Sequence, residues 1–167
     1  MAARKHIAPH RRRWLLVGSL VITSLADFDV FAGLLVGDPR IFHHQASHSL
    51  AVALLFGLLM GGLANLWKLN GIGWGIWGGG LYLSHIVLDL LVNDPTPPFG
   101  IQLLWPISDA YFISPITPFG GFHYYDPAKG MARTILGFDN FMLILQEIVF
   151  IAPFAALAWF FGNYRKA

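Results

Sequence analysis

The chain has 167 residues, of which 56 % are hydrophobic and 12 % charged, with a formal net charge of +2. The charged fraction is about half that of an average soluble domain, which argues against a soluble enzyme. The chain has no cysteine, so disulfides and thiolate metal sites are excluded, and a metal would need His, Asp and Glu ligands.

Three apolar stretches approach or exceed the roughly 20 residues that span a bilayer, and a fourth is interrupted. We therefore predict an all-α integral membrane protein with about four transmembrane helices. By length, residues 1–167 form a single domain.

The first predicted helix runs from about Trp14 to Val36, after a basic tail over residues 1–13. A cleaved signal peptide would begin in the same way, but no small-residue cleavage pattern follows Leu25, and we predict a retained helix. The helix carries Asp27 and Asp29. An aspartate near the middle of a bilayer costs roughly 2.5–3.5 kcal/mol on insertion scales, so the pair predicts a compensating partner, most simply a cation.

On a regular helix the carboxylates of Asp27 and Asp29 would point about 200° apart. Two interpretations remain open at this stage. The helix is irregular here, or one aspartate faces a site while the other holds the ligands of that site in place.

Three histidines follow within the heptapeptide HHQASHS, at His43, His44 and His48. His44 and His48 are four residues apart and share a face if the segment is helical, whereas His43 and His48 converge only if the backbone is irregular. The alternative is a wet interfacial loop with incidental histidines. Ser47 or Ser49 suits the N-cap of the helix that follows.

The second and third predicted helices run from about Leu50 to Trp67 and from about Ile72 to Val92. Both are rich in glycine, which allows close helix packing. The third helix ends with His85 and Asp89, which lie four residues apart and project from one face. A histidine and a carboxylate on one face at the end of an apolar helix are typical of a metal site.

Residues 93–139 are predicted to form a long outward loop that is partly interfacial, because its aromatic and aliphatic residues favour the membrane interface. Asp94 lies in the turn that opens this loop, where it could ligate a metal or act as a general base. The fourth predicted helix runs from about Phe138 to Phe161, with Glu147 inside it and a kink at Pro153.

Four helices place both termini on the same side, and that side carries most of the Lys and Arg residues. The positive-inside rule then predicts an inner (plasma) membrane protein with both termini in the cytoplasm. In this topology the histidine loop, the end of the third helix and the Asp94 turn lie on the outward side. The candidate ligands are therefore expected at one depth.

Four ordered segments carry a family resemblance: ADFD, HHQASHS, SHIVLDLL and PPFGIQLLWPIS. They resemble the P-D-x-D, H-R-G-x-T-H-S and H-L-L-L-D elements and the (Y/F)-G-x-x-L-x-W-P-F-S turn of YdjM-type membrane-bound metal-dependent hydrolases, the domain of unknown function 457 group. The resemblance covers about residues 20–115. The chain departs from the pattern at four positions: Ala26 for Pro, His44 for Arg, Gln45 for Gly and Ser47 for Thr.

The resemblance matches Asp27 and Asp29 to the two aspartates, His43 and His48 to the two histidines, and His85 and Asp89 to the helix pair. Loss of the Arg removes a phosphate-recognising residue, which His44 could partly replace, or His44 could add a ligand. The family is similar to zinc phospholipase C-like hydrolases, which implies phosphoester hydrolysis. From the residues and the resemblance we expect one to three divalent ions, with Zn²⁺ as the first choice. The expected ligands are Asp27, Asp29, His43, His44, His48, His85 and Asp89.

We expect Asp94 and Asp29 to take catalytic roles, Asp94 as a general base or ligand and Asp29 as a ligand or a partner that fixes a histidine tautomer. The expected substrate is a phosphoester of a lipid or another membrane-proximal molecule, with the segment around Trp105, Tyr111 and Phe112 as a wall that seats acyl chains or excludes water.

The alternatives are a metal or proton transporter, for which Glu147 would matter most, and a non-catalytic metal-binding membrane protein. Nucleic acid is not an expected partner, because the basic residues are mostly terminal and serve as topology signals. The sequence does not predict an oligomeric state.

Overall fold

The computed structural model describes residues 9–94, 98–123, 126 and 128–164. Residues 1–8 of the predicted basic tail, Pro95 in the predicted turn, and the C-terminal Arg165 and Lys166 lie outside the described residues. The chain divides into two compact units, residues 1–90 with 100–112 and residues 91–99 with 113–167.

The first unit contains four α-helices in its described part: α1 (Pro9–Thr23), α2 (Asp29–Leu35), α3 (Leu50–Leu66) and α4 (Gly71–Leu90). α3 and α4 match the second and third predicted helices to within two residues at each end. Ser49 is the N-cap of α3, since its side chain accepts a hydrogen bond from the backbone N–H of Val52 at 3.2 Å. Of the two capping serines that the sequence allowed, the second takes the role.

The first predicted helix is not continuous. A 3₁₀ turn over Ala26–Phe28 separates α1 from α2, and the two helices meet at a bend of 55°. Near the end of α1, the hydroxyl of Thr23 donates to the carbonyl oxygen of Ser19 at 3.0 Å, and such bonding to the preceding turn often bends helices. The helix is therefore irregular at the aspartate pair, as the first of the two interpretations has it.

Glycines let the backbones of α3 and α4 approach each other closely. A Cβ atom added at Gly57 would lie 3.0 Å from the carbonyl oxygen of Gly75 and 3.2 Å from the Cα atom of Gly79. A Cβ atom at Gly61 would lie 2.9 Å from the carbonyl oxygen of Gly71. All three neighbours are backbone atoms, which cannot move aside as a flexible side chain can.

The variant Gly57→Ala is expected to unfold at a lower temperature than the wild type, because overpacking of this kind costs about 1–3 kcal/mol. Thermal unfolding of the purified chain in detergent checks this. The matched control is Gly62→Ala on the same helix, where an added Cβ atom meets nothing within 4 Å and alanine is the better helix former. Equal effects of the two variants would contradict the packing role of Gly57.

The core of the first unit lies where α1, α3 and α4 meet. It contains these buried residues: Ile22, Ala26, Ala53, Tyr82, Ile86 and Ile101. Ile101 belongs to the segment Gly100–Phe112, in which residues 101 and 112 form an antiparallel bridge. This segment is held to the rest of the unit by backbone hydrogen bonds from Gln102 N–H to the His44 carbonyl oxygen at 2.9 Å and from Leu50 N–H to the Leu103 carbonyl oxygen at 3.0 Å. The aromatic segment thus covers the histidine turn.

In the second unit, strands β1 (Val92–Asn93) and β2 (Phe119–Gly120) pair in parallel. Two helices follow, α5 (Met131–Ile135) and α6 (Phe138–Tyr164). The side chain of Asn140 is buried and links α6 to the preceding chain, since its amide donates to the carbonyl oxygens of His123 at 2.6 Å and Thr134 at 3.0 Å. The residues predicted as one long loop, 93–139, therefore contain strand β2, the second residue of β1, helix α5 and the start of α6 in addition to irregular chain. The small parallel pair is a departure from the all-α prediction.

Among the described residues, no single helix is both long and apolar enough to cross a membrane. Residues Arg13–Thr23 and Ala26–Leu35, on the two sides of the 55° bend, pass that test of length and composition only as a pair.

Candidate metal centre

Three separate segments of the first unit bring their polar side chains together. The break between α1 and α2 carries Asp27 and Asp29, the 3₁₀ turn Ala46–His48 carries His48, and the last turns of α4 carry His85 and Asp89. These segments are far apart in sequence, and each is a place where helical regularity begins or ends.

The histidine turn is irregular, which is the condition under which the sequence predicted that its first and last histidines converge. His44 has a left-handed backbone with φ of 64°, and the 3₁₀ turn follows at once. As a result, the ring centroids of His43 and His48 lie 5.3 Å apart. Left-handed residues other than glycine are uncommon and often lie at functional sites.

Three ligand atoms form a compact triangle at the centre of the cluster. Oδ1 of Asp27 lies 3.5 Å from Nε2 of His48 and 3.3 Å from Nε2 of His85, and the two nitrogens lie 3.4 Å apart. Tetrahedral Zn²⁺ holds His and Asp ligands about 2.0–2.1 Å away, which places those ligand atoms about 3.3–3.4 Å from one another. These three residues could hold a metal ion.

Asp89 adds a second carboxylate to the triangle. Its Oδ2 lies 3.2 Å from Nε2 of His85 and 3.4 Å from Nε2 of His48. Among the described residues, this oxygen is buried without a hydrogen-bond partner. A buried carboxylate oxygen without such a partner is costly, and a cation beside the two nitrogens would remove that cost. The donor set therefore fits a divalent metal.

Asp29 lies behind the histidines rather than in the triangle. Its Oδ1 lies 3.0 Å from Nδ1 of His43, and its Oδ2 lies 3.3 Å from Nδ1 of His48. Ser47 donates its hydroxyl to the same Oδ2 at 2.6 Å. A carboxylate that accepts from Nδ1–H fixes the tautomer and leaves Nε2 to bind a metal. Asp29 is placed to do this for two rings at once.

Burial differs sharply between the two aspartates. The side chain of Asp29 is 8 % exposed, whereas that of Asp27 is 46 % exposed. His48 is completely buried between them. The cluster is therefore closed on the Asp29 side and open on the Asp27 side. Catalytic metal sites keep such an open position, and structural ones are closed.

Burial and charge act in opposite directions on the two histidines of the turn. Burial lowers the pKa of His43 and outweighs its hydrogen bond to Asp29. Burial also acts to lower the pKa of His48, but hydrogen bonds to Asp27 and Asp29 outweigh it and raise the pKa to about 9. Without a metal, His48 therefore carries a second proton at neutral pH, in the place that a cation would take.

A second group of three, His43, His44 and His48, could also hold an ion. His48 belongs to both groups, so a single nitrogen of this ring serves only one of them. The rings of His43 and His44 stack with centroids 4.0 Å apart, whereas those of His48 and His85 lie 5.3 Å apart and tilted. The group with Asp27 also supplies a carboxylate, which the group of three histidines lacks. The first group is the better cation site.

Sequence reasoning did not single out Tyr82, which lies on α4 one turn before His85. Its hydroxyl donates to the carbonyl oxygen of Ser47 at 2.9 Å, and its side chain is buried. A signal was present, because Tyr82 is three residues before His85 and seven before Asp89, which places all three on one helix face. The role of Ser47 beside Asp29 was also missed, since Ser47 was considered only as a cap.

Two further predicted residues lie in the second unit. Asp94 directly follows β1, and its part in the site stays a prediction. Glu147 lies on α6 with an exposed side chain.

The comparison with protein families gave one match, to the model described as YdjM inner membrane protein, over residues 1–164. The chain belongs to the YdjM inner membrane protein family. The family resemblance read from the four motifs is thereby confirmed, and so is an inner membrane protein. No curated protein and no solved structure matched the chain.

Membership of the YdjM family covers nearly the whole chain, whereas the four motifs cover about residues 20–115. The match therefore includes the described strands and α6 of the second unit as well as the metal cluster. The number of membrane spans and the side on which the termini lie stay predictions.

Proposed function

We propose that this YdjM family member is a membrane-bound metal-dependent hydrolase that acts on a phosphoester of a lipid or another membrane-proximal molecule. The observation that carries the proposal is the triangle of Asp27, His48 and His85, together with the buried Oδ2 of Asp89. A divalent ion at these atoms would lower the pKa of a water molecule toward neutrality and polarise a phosphoryl oxygen. Zn²⁺ suits this set of nitrogen and oxygen ligands.

Some residues of the site would bind the cation, and others orient the histidine rings that bind it. His48, His85, Asp27 and Asp89 would hold the cation, and the exposed side of Asp27 leaves room for a substrate. Asp29, at His48 together with the Ser47 hydroxyl, favours a proton on Nδ1 of His43 and of His48, so that Nε2 of each ring is available. The family motif turn at Gly100–Phe112 packs beside His44, where its aromatic residues would contact the apolar part of a substrate. Asp94 remains our candidate for the general base.

The experiment is an assay of the purified full chain against phospholipids labelled in the headgroup, with metal content measured on the same sample. We expect bound divalent metal and headgroup release that a chelator abolishes and added Zn²⁺ restores. Metal without release from any headgroup class would overturn the hydrolase proposal. Protein that binds no metal after incubation with Zn²⁺ would overturn the metal centre itself, and metal flux into proteoliposomes would indicate the transporter alternative.

Metal binding is expected to release a proton, because His48 is protonated below its raised pKa of about 9. Zn²⁺ affinity should therefore rise with pH between about 6 and 9, by roughly tenfold per pH unit for one displaced proton. Isothermal titration in buffers of different ionisation enthalpy counts the protons. An affinity that does not change over this range would contradict the exchange of proton for metal at His48.

The raised pKa of His48 also predicts that the stability of the metal-free protein falls as the pH rises, whereas Zn²⁺ affinity increases. The pKa of His48 is raised in the folded state, so its extra proton stabilises the fold fully below the unfolded pKa of about 6.5. That contribution is lost as the pH rises through about 9. Metal-free protein should thus lose stability over the same pH range in which Zn²⁺ binding becomes tighter.

A further inference from the structure

The candidate ligands come from different elements of the first unit. His85 and Asp89 lie on α4, whereas His48 lies on the 3₁₀ turn before α3. The 3.4 Å between Nε2 of His48 and Nε2 of His85 therefore depends on how α4 is attached to that turn. A shift of about 1 Å between catalytic groups can cost on the order of 100-fold in function.

Tyr82 makes this attachment. It lies on α4 one turn before His85, and its hydroxyl donates to the carbonyl oxygen of Ser47, the residue directly before His48, at 2.9 Å. The ring of Tyr82 is buried and packs against Phe56 of α3 with centroids 5.3 Å apart. The hydroxyl thus reaches the turn from a buried ring that packs against α3.

The side chain of Ser47, whose carbonyl oxygen accepts from Tyr82, also makes hydrogen bonds. Its hydroxyl donates to Oδ2 of Asp29 at 2.6 Å and lies 3.0 Å from Nδ1 of His48. Because that hydroxyl gives its proton to Asp29, its lone pair is available to accept from Nδ1–H of His48. The backbone of Ser47 is held by α4 and its side chain orients the His48 ring.

We propose that Tyr82 is a positioning residue of the metal centre: its hydrogen bond to the Ser47 carbonyl sets the distance between His48 on the turn and His85 and Asp89 on α4. This inference rests on the proposed metal centre. It assigns to Tyr82 a role in metal affinity and geometry in addition to the packing that any buried tyrosine provides.

Packing and positioning can be separated by two variants. Tyr82→Phe removes the hydroxyl and keeps the ring against Phe56, whereas Phe56→Leu removes the ring contact and keeps the hydroxyl bond. A third variant, Ser84→Ala, is the control for loss of a hydroxyl on α4, because Ser84 is exposed and donates to the Leu81 carbonyl of its own helix at 2.7 Å.

The experiment measures the Kd for Zn²⁺ by competition with a chelating dye, and the visible spectrum of bound Co²⁺, on the purified full chain in detergent well below its unfolding temperature. We expect Tyr82→Phe to raise Kd by about 10- to 100-fold, as loss of an outer partner of a metal site does, and to alter the Co²⁺ spectrum. Phe56→Leu and Ser84→Ala should keep the Kd and spectrum of the wild type.

A wild-type Kd and spectrum in Tyr82→Phe would overturn the positioning role, and so would an equal rise in Kd for Phe56→Leu, which would assign the effect to packing. Wild-type protein that binds neither ion would instead overturn the metal centre. The two failures are distinguished by the wild-type sample alone.

Discussion

Replacing His85 with alanine is expected to abolish retention of metal through purification and, with it, any metal-dependent hydrolysis. His85 contributes Nε2 to contacts with Asp27, His48 and Asp89, at 3.3, 3.4 and 3.2 Å. Its loss opens the triangle and leaves a single histidine in it. The loss of affinity should exceed the roughly 10- to 100-fold that removal of an outer partner costs. Metal analysis and a Zn²⁺ titration of the purified variant check this.

The matched control is His123→Ala. His123 is exposed, and its hydrogen bonds to Asn140 are made by its backbone N–H and carbonyl groups, which the substitution keeps. This variant should retain the metal content of the wild type. If His85→Ala folds and keeps its full metal content, the centre described here is not where the metal binds.

The ligand residues of the centre could be predicted from the sequence because they occur in groups whose members are close together in the chain. His85 and Asp89 are one helical turn apart, and the three histidines lie within six residues, so each pair follows from helix geometry or simple proximity. Their convergence followed from the family resemblance and from the expected common depth. The structure places Asp27, Asp29, His43, His44, His48, His85 and Asp89 in a single compact unit.

The sequence left open which of Asp27 and Asp29 faces the site and which orients the histidines, because the answer depends on a break in the helix. The apolar run around the aspartates reads as continuous, and a break by 55° is set by packing and by hydroxyl bonding to the backbone rather than by proline or glycine. Ser47 and Tyr82 were not predicted for a related reason. Their hydrogen bonds join residues separated by 18 and 35 positions, and periodicity carries no information at that separation.

The residue pattern does not predict the short strands of the second unit either. Each has two residues, which is too short for the alternation that identifies a strand. The long segment between the third and fourth predicted helices was therefore expected to be loop throughout.

Replacing Asp29 with asparagine is expected to weaken Zn²⁺ binding by about 10- to 100-fold without abolishing it. Asparagine has the shape of aspartate but offers one acceptor oxygen. Its amide nitrogen must face either Nδ1 of His43, which lies 3.0 Å from Oδ1 of Asp29, or the Ser47 hydroxyl, which donates to Oδ2. One ring then loses its fixed tautomer. The ligand atoms themselves remain, so binding should persist. Zn²⁺ titration and the rate of headgroup release, measured on the same preparation, check this.

Two further variants should have a larger and a smaller effect on Zn²⁺ binding than Asp29→Asn. Asp27→Ala removes an oxygen of the triangle and should weaken binding more than Asp29→Asn does. Asp38→Asn changes a partly exposed carboxylate that pairs with Arg40 at 2.7 Å, outside the cluster, and should have no effect. If Asp29→Asn is as damaging as Asp27→Ala, Asp29 binds the metal itself, and a second ion beside His43 becomes necessary to explain the contacts of both its oxygens. If Asp29→Asn resembles Asp38→Asn, the tautomers of His43 and His48 do not limit binding. If Asp29 orients both histidines without binding the metal, Asp29→Asn should weaken Zn²⁺ binding more than Asp38→Asn and less than Asp27→Ala.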